Sequence, residues 1–345
     1  MWDIVGQEKA VSFLQKSLER GKLAHAYLLV GSPHVGKMAL AINLAKAINC
    51  ESPEQPCDKC ISCQRIAGGK HADVQVVELG QIAESSEGES KTKISVEQID
   101  QILHSVNLAP YEGKYRVFII DGVEFMSIAA ANRLLKTIEE PLPNVIFILL
   151  TANESLVPVT VVSRCQRIEL MPVATEQIEK GLVTHYQVNP EKAKLLARIS
   201  DGRFGWAVSA IRDDALVQQR TAWINDWREI YDADYDRRFT FAAKLVEKYS
   251  QNRSVVQQKL DLLLNWWHDL LLVKTDCEKD VKNIDFQSEL TKMAESYSLA
   301  QIRAFIDRIQ SAKEQLRFNT NQQLVMEVLM LNIPEKKTTE NLVAW

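Results

Sequence analysis

The stretch AYLLVGSPHVGKM, residues 26–38, decides the fold of this chain. Its first five residues are all apolar, which predicts a short strand buried on both faces. The next eight, GSPHVGKM, have the glycine and lysine spacing of a phosphate-binding loop that leads from a strand into a helix. Glycines allow backbone N–H groups to turn toward phosphate oxygens, and the helix N-terminus adds positive potential. The stretch therefore predicts a nucleotide site that includes Gly31, Gly36 and Lys37.

Short strand-like runs recur beyond this loop and alternate with segments of helical periodicity. The runs lie at 74–79, 117–120, 145–150 and 167–170. Alternation of this kind is typical of a parallel sheet that is covered by helices on both faces. We therefore predict an α/β fold with a phosphate-binding loop for the first half of the chain.

The second half of the chain differs from the first, because only helical periodicity remains beyond Pro172. The candidate helices lie at 175–185, 190–199, 206–211, 215–231, 255–274, 299–316 and 321–331. The change predicts an α/β domain at 1–171, a small helical domain at 172–212, a larger helical domain at 213–334 and a flexible tail at 335–345. The polar segment 80–93 is predicted to be a mobile loop.

Two positions depart from the pattern of a working ATP site. Met38 follows Lys37 at the place where a Ser or Thr hydroxyl normally binds Mg²⁺, and a thioether is a poor ligand for that hard cation. Asp121 ends a buried strand, but Gly122 follows it where a Glu normally orients the attacking water. Glu124 lies three residues beyond Asp121 and is not expected to face the same point. We predict a vestigial site without ATP hydrolysis, and the sequence leaves open whether ATP and Mg²⁺ occupy it.

Four of the six cysteines lie within fourteen residues, at Cys50, Cys57, Cys60 and Cys63. Four thiolates suit a tetrahedral Zn²⁺ ion and form a closed structural site, with no open position for catalysis. The spacing therefore predicts a zinc module, and an iron–sulfur cluster is the alternative. The other two cysteines stand apart and are expected to be core residues.

The composition is that of a globular protein without a strongly basic surface. Hydrophobic residues make up 46% of the chain and charged residues 25%, and the net charge of −4 counts against a nucleic-acid coat protein. The N-terminus has no basic stretch followed by an apolar core, and no apolar run approaches the ~18 residues that span a membrane. We therefore expect a cytoplasmic protein with no membrane partner, in which reduced cysteines are available to a metal ion.

Four further motifs accompany the phosphate-binding loop and the cysteine cluster. They are KLAHAYLL at 22–29, ANRLLKTIEEP at 131–141, PVTVVSRC at 158–165 and NTNQQLVME at 319–327. Together they resemble the subunits of the bacterial DNA polymerase III clamp loader, an AAA+ family, along nearly the whole chain. The resemblance implies an AAA+ (RecA-like) P-loop domain with a zinc-module insert, a helical lid domain and a helical collar domain for oligomerisation.

Subunits of this family form an open ring that binds ATP at subunit boundaries and loads the sliding clamp on primed DNA. The resemblance therefore implies as partners the other clamp-loader subunits (gamma/tau and delta), the sliding clamp and, through the assembly, primer–template DNA. It also implies that Arg164, in the Ser-Arg-Cys motif, is a catalytic arginine that acts in trans at a neighbour's ATP site. Thr151, at the end of its strand, matches a phosphate-sensing position, which in an idle site is only structural.

Three departures separate this chain from the motor subunits of the family. The motor subunits gamma and tau keep a hydroxyl at the place of Met38, a Glu at the place of Gly122 and a lid arginine at the place of Gly205. The resemblance thus implies a stationary component of the DNA polymerase III holoenzyme without intrinsic ATPase activity, whose arginine serves a neighbour. Two alternatives stay open: an ATP-hydrolysing motor subunit, and a zinc-dependent nucleic-acid-binding module without an ATP-linked partner.

Overall fold

The computed structural model describes residues 2, 4–77, 94–316, 318 and 320–336. The chain divides into two compact units, one made of Met1–Val188 and Gly202–Val208, the other of Asn189–Asp201 and Ser209–Trp345. The mobile loop predicted at 80–93 and most of the predicted tail lie outside the described residues. The three domain boundaries predicted from the sequence stay a prediction.

The first unit is a parallel β-sheet with helices. Its elements are α1 (Glu8–Glu19), β1 (Ala26–Val30), α2 (Lys37–Asn49), α3 (Ile61–Ala67), β2 (Val74–Val77), α4 (Val96–Val106), β3 (Arg116–Asp121), α5 (Ile128–Glu139), β4 (Val145–Thr151), α6 (Val159–Val162), β5 (Gln166–Glu169) and α7 (Thr175–Tyr186). The five strands are parallel and lie in the order β2-β3-β4-β1-β5. The α/β fold predicted for the first half is confirmed.

Alternate residues of each strand pack into two different apolar cores, because neighbouring side chains of a strand point to opposite faces of the sheet. On β1, Tyr27 and Leu29 join one core. Ala26 and Leu28 join the other. Strand β4 is buried along its whole length. Burial on both faces is the condition under which all-parallel sheets are stable, and it explains why these strands are continuous apolar runs.

The register of the strands determines which loops share an edge of the sheet. Val30, the last residue of β1, pairs with Thr151, the last residue of β4, and β3 is in register with β4 beside it. The loops after β1, β3 and β4 therefore meet at the carboxyl edge of the sheet. At the opposite, amino edge, Gln166 at the start of β5 pairs with Tyr27.

Local signals set the ends of two helices of the first unit. At the start of α4 the Ser95 side chain accepts a hydrogen bond from the Gln98 backbone N–H, and the Gln98 side chain accepts one from the Ser95 N–H. These two reciprocal hydrogen bonds form a capping box, and Ser95-x-x-Gln98 is its sequence signature. Helix α5 ends at Glu139, two residues before Pro141, which cannot continue a helix.

The described residues of the second unit form helices and no strands, as predicted. It contains α8 (Pro190–Ile199), the end of α9 (Phe204–Arg212), which begins in the first unit, α10 (Ala215–Tyr231), α11 (Tyr235–Gln251), α12 (Arg253–Lys274), α13 (Gln287–Ser296), α14 (Leu299–Gln315) and α15 (Gln322–Leu331). Among the described residues, none of these helices combines the length and the apolar character that crossing a bilayer requires.

The core of the second unit is organised around α12. Trp267 of this helix is fully buried, and its ring centroid lies 4.7 Å from that of Phe305 and 5.3 Å from that of Tyr297. Its indole N–H donates a hydrogen bond of 3.1 Å to the hydroxyl of Tyr231. The contact with Phe305 is edge-to-face, a preferred geometry of aromatic pairs, and the hydrogen bond satisfies the indole N–H that burial removes from water.

Candidate functional site

The phosphate-binding loop lies between β1 and α2, at the carboxyl edge of the sheet. Gly36 has a φ of +113°, in a region that side chains rarely adopt. Gly31 lies so close to Leu170 that an added Cβ would come within 2.8 Å of the Leu170 carbonyl oxygen. The backbone of the loop therefore requires glycine at both positions, even without a phosphate.

Lys37 is bound to its own loop. Its Nζ donates hydrogen bonds to the carbonyl oxygens of Gly31, at 2.6 Å, and Ser32, at 3.0 Å, and the residue is only 8% exposed. Burial lowers the pKa of the ammonium group, while the carboxylates of Asp121 and Glu124 act in the opposite direction. Two of the three ammonium donors are thus engaged by the loop, which disfavours a full set of contacts to phosphate.

The fold accommodates the residues at the two positions that depart from a working ATP site. Met38 is partly buried and packs against the apolar core on one face of the sheet. Gly122, directly after Asp121, has a φ of +77°. A Glu side chain would adopt that backbone conformation only under strain. Neither position therefore supplies the hydroxyl or the carboxylate that ATP hydrolysis uses.

Glu124 lies nearer to the loop than its place in the sequence indicated. It belongs to a short 3-10 turn, Val123–Phe125, and its Oε1 accepts a hydrogen bond of 2.9 Å from the N–H of Ala152, just beyond β4. Its Oε2 is buried, with no hydrogen-bond partner in the described part of the chain. The turn after β3 brings this carboxylate near enough to the loop for its charge to raise the pKa of Lys37, and the expectation that Glu124 does not face the point of hydrolysis stays a prediction.

Thr151 connects β4 to the phosphate-binding loop. It is fully buried, its carbonyl oxygen accepts a hydrogen bond of 3.2 Å from the Gly31 N–H, and its Oγ1 accepts one of 3.1 Å from the Asn153 N–H. A hydroxyl that accepts one hydrogen bond can still donate another. Thr151 therefore has a structural role, and its hydroxyl keeps the capacity to contact a phosphate.

The N-terminus of α9 closes on the phosphate-binding loop. The N–H of Gly205, one of the donors that a helix leaves unpaired at its start, donates a hydrogen bond of 2.8 Å to the carbonyl oxygen of His34. Burial, together with the charges of Arg203 and Lys37, lowers the pKa of His34. Gly205 stands where the resemblance places the lid arginine of the motor subunits. Its lack of a side chain allows the helix and the loop to touch.

We expect Gly205→Ala to destabilise the first unit by about 1–2 kcal/mol. The added Cβ would lie 2.8 Å from the His34 carbonyl oxygen, and the strain of such overpacking exceeds the gain in helix propensity. Equilibrium denaturation measures the difference. Gly68→Ala is the matched control, since a Cβ there meets nothing closer than 3.4 Å. Equal stability of the two variants would show that α9 does not need this close approach.

The four cysteines of the predicted module come together beside α2 and α3. The Sγ atoms of Cys50, Cys57, Cys60 and Cys63 lie within 4.8 Å of one another. Cys60 caps α3, and its Sγ accepts a hydrogen bond of 3.4 Å from the Cys63 N–H. A tetrahedral ion with bonds of about 2.3 Å to sulfur separates its ligands by about 3.8 Å. The cluster can therefore hold a metal ion after only small side-chain adjustments.

The protonation of these thiols follows from their surroundings. Hydrogen bonds from the backbone N–H groups of Lys59 and Cys60 lower the pKa of Cys57 to about 6. Burial raises the pKa of Cys50, and it raises that of Cys63 to about 12. A bound cation would deprotonate the remaining thiols, because metal ligation requires thiolates. Four protein ligands would also leave no open position, so the chemistry of this site is structural.

Arg164 lies at the amino edge of the sheet, opposite the phosphate-binding loop. It follows α6 and precedes β5, whose first residue, Gln166, pairs with Tyr27 near the start of β1. Four residues of strand, roughly 13 Å at 3.3 Å per residue, separate this edge from the loop. The Arg164 side chain is 39% exposed, and its Nη2 lies 2.7 Å from Oε1 of Glu139. The topology therefore separates Arg164 from the chain's own loop.

The structure groups the residues predicted from the sequence into three places. The carboxyl edge of the sheet holds the candidate nucleotide-site residues Gly31, Gly36, Lys37, Asp121 and Thr151. The cysteines form a separate cluster, and Arg164 lies apart from both groups, at the amino edge. The roles of these residues in binding and catalysis stay predictions.

Two family models match the chain. The model described as DNA polymerase III, delta subunit, matches residues 6–174. The model described as DNA polymerase III, delta subunit, C terminal, matches residues 238–335. The first match contains the phosphate-binding loop, the cysteine cluster and Arg164. Together the two matches include more than three quarters of the chain.

Individual relatives agree with these models. The chain is 27% identical over 358 residues to the DNA polymerase III subunit tau of Bacillus subtilis (strain 168), covering 96% of this chain and 61% of that protein. It is 28% identical over 333 residues to subunit delta′ of the same organism, covering 95% and 96%. It is 36% identical over 222 residues to subunit tau of Salmonella typhimurium, covering 62% and 33%. The chain thus spans less than two thirds of the length of the two tau relatives.

Proposed function

The chain belongs to the DNA polymerase III clamp-loader family, and we propose that it is a delta′-type member of that family. In this role the subunit does not hydrolyse ATP, and it donates Arg164 to the ATP site of a neighbouring subunit. It thereby helps the assembly to load the sliding clamp on primed DNA during replication. Its partners are the gamma/tau and delta subunits, the clamp and, through the assembly, primer–template DNA. The cytoplasmic location expected from the sequence stays a prediction.

The position of Arg164 is the observation that carries this proposal. The guanidinium group is exposed at the amino edge of the sheet, whereas the chain's own phosphate-binding loop is at the carboxyl edge. An arginine so placed is available to a nucleotide on another subunit. Its planar fork of N–H donors matches phosphate oxygens, and its charge stabilises the negative charge that builds on them during phosphoryl transfer.

The contacts and the missing residues of the phosphate-binding loop support the proposal that this subunit does not hydrolyse ATP. The ammonium group of Lys37 is bound to two carbonyl oxygens of the loop, and α9 closes on the loop through Gly205. Met38 and Gly122 lack the hydroxyl and the carboxylate of a motor subunit. Each of these features alone weakens catalysis, and together they remove the metal ligand and the residue that orients water.

We further propose that the four-cysteine cluster binds Zn²⁺ as a structural ion. The support is chemical, since four sulfur ligands within tetrahedral reach are the donor set of structural zinc sites. An iron–sulfur cluster uses the same ligands and is the alternative. The proposed ion would hold Cys50, at the end of α2, together with Cys57, Cys60 and Cys63 around the start of α3.

ATP turnover by the purified chain tests the proposed function. We expect no turnover by the chain alone, with Mg²⁺, clamp and primed DNA present, and normal turnover when the chain is assembled with its partner subunits. Binding of a fluorescent ATP analogue to the chain alone, without hydrolysis, would mark a vestigial site. Turnover by the isolated chain, at a rate matching that of a motor subunit tested alongside it, would reject the proposal.

The structure offers one observation in favour of the motor alternative. The Glu124 carboxylate, with one buried oxygen that lacks a partner among the described residues, lies where its charge acts on Lys37. A carboxylate near the loop is what a water-orienting base requires. If Glu124 compensates for Gly122, the isolated chain should hydrolyse ATP and Glu124→Gln should abolish that activity. The turnover assay therefore distinguishes the two functions.

A further inference from the structure

We propose that Glu139 holds Arg164 in the resting subunit and competes with the neighbour's nucleotide for its guanidinium group. This contact between the two side chains is the resting pair. The inference rests on the proposed function, since it takes Arg164 to act at the adjoining ATP site. It adds that the affinity of that site for ATP is set in part by a residue of this chain that does not touch the nucleotide.

The contacts of Arg164 define its resting orientation. Its Nη2 lies 2.7 Å from Oε1 of Glu139. Its Nη1 donates hydrogen bonds to the carbonyl oxygen of Thr160, at 3.0 Å, and to Oγ of Ser163, at 3.2 Å. A guanidinium group has five N–H donors, so these contacts use most of them and neutralise its charge. Arg164 is therefore held against its own subunit before a neighbour's nucleotide can engage it.

The position of Glu139 explains why the resting pair forms. Glu139 is the last residue of α5, and Glu140 follows it as the C-cap. The C-terminus of a helix carries partial negative charge, so two carboxylates at this end repel it. A guanidinium group close to Glu139 relieves that repulsion. The end of α5 thus attracts Arg164, although the two residues are 25 positions apart in the sequence.

The resting pair is weak enough to be displaced. The two side chains are 39% and 45% exposed, and ion pairs of such exposure change an equilibrium by only about 1.5- to 5-fold. A triphosphate carries more negative charge than one carboxylate and can accept two parallel N–H bonds from the same guanidinium group. ATP on the neighbouring subunit therefore displaces Glu139 from Arg164. It nevertheless binds more weakly than it would if Arg164 were not paired with Glu139.

Glu139→Gln tests this competition, because the amide keeps the shape of the side chain and removes its charge. In a clamp loader reconstituted with only the adjoining ATP site intact, we expect the Kd for a fluorescent, non-hydrolysed ATP analogue to fall by about 1.5- to 5-fold. We expect kcat to stay unchanged, since Arg164 has left Glu139 once nucleotide is bound. Glu140→Gln is the matched control, because it removes the same charge from a residue that does not contact Arg164.

The double variant separates this inference from the proposed function. If the resting pair competes with nucleotide, Glu139→Gln has no effect when Arg164 is already alanine. A higher Kd or a lower kcat in Glu139→Gln would overturn the inference, because Glu139 would then orient Arg164 toward the nucleotide. An unchanged Kd would also overturn it, provided that Arg164→Ala still lowers turnover. If Arg164→Ala itself has no effect, the proposed function fails instead.

Discussion

Replacing Arg164 by alanine is expected to lower ATP turnover at the adjoining site of the reconstituted clamp loader by about 10³-fold or more, the range for an arginine supplied in trans. The guanidinium group contacts the bound triphosphate and also stabilises the additional charge that develops in the transition state, so its loss lowers kcat as well as affinity. The measurement is steady-state turnover by an assembly in which the P-loop lysine of every other ATP site is replaced by alanine.

The Arg164→Ala subunit should fold normally, because its half-exposed ion pair with Glu139 contributes about 1 kcal/mol or less. Arg65→Ala is the matched control, since Arg65 is also an exposed arginine of the first unit, paired with Glu112. Arg164→Lys keeps the charge but loses the planar fork, and it should give intermediate turnover. If Arg164→Ala and Arg65→Ala supported the same turnover, Arg164 would have no catalytic role.

Removing the proposed zinc ion is expected to destabilise the first unit by more than about 3 kcal/mol. Structural zinc sites bind their ion with about 10–16 kcal/mol, and most of that free energy stabilises the folded state. Cys60→Ser removes one ligand and also the sulfur that accepts the Cys63 N–H at the start of α3. We therefore expect loss of bound metal and local unfolding of α3. Elemental analysis and hydrogen exchange measure the two effects.

Cys277→Ser is the control for this experiment, because Cys277 lies outside the cluster. The expectation that Cys277 is a core residue was wrong, since this residue is exposed. The wild-type chain and this variant should each contain about one zinc ion, the content of a four-cysteine site. Undiminished zinc in Cys60→Ser would exclude Cys60 as a ligand. Iron with visible absorption in the wild-type chain would replace the zinc assignment by an iron–sulfur cluster.

The sequence predicted the parts of the fold in which local pattern and tertiary structure agree. The stretch at 26–38 became β1, the loop and the start of α2, because a buried strand and a glycine-rich turn each have a local signature. The Ser95 capping box at the start of α4 likewise has a local sequence signature. The four cysteines were predicted to meet, and they do, since close spacing leaves few other arrangements.

The sequence analysis did not predict helices α11 and α13, because polar and charged residues obscure the helical spacing of their apolar residues. In α11 the buried residues Ala242, Leu245 and Tyr249 have helical spacing, but charged residues surround them. Arg238, on the same face, is itself buried and donates to the carbonyl oxygen of Tyr231. A buried arginine in a charged segment looks like an exposed surface from sequence alone, so the apolar stripe was not apparent.

The contacts that matter most to the candidate site could not be predicted from local sequence patterns. Glu124 reaches the edge of the sheet because a 3-10 turn follows β3, and Glu139 meets Arg164 because α5 and the segment after α6 end near the same edge. Both depend on how distant segments fold together. Sequence spacing describes neighbours on one helix or strand, and it carries little information about pairs that the topology brings together.

Arg164 and the phosphate-binding loop lie at opposite edges of the sheet, so the subunit has two unlike faces. Contacts between unlike faces are heterologous, and they repeat head to tail until the row closes or stops. A motor subunit supplies both faces and can continue such a row. In the role proposed here, this subunit supplies an arginine at one face and an idle loop at the other, so no further ATP site can be built beyond it. A subunit in that role would terminate the row, and one copy would suffice for each row.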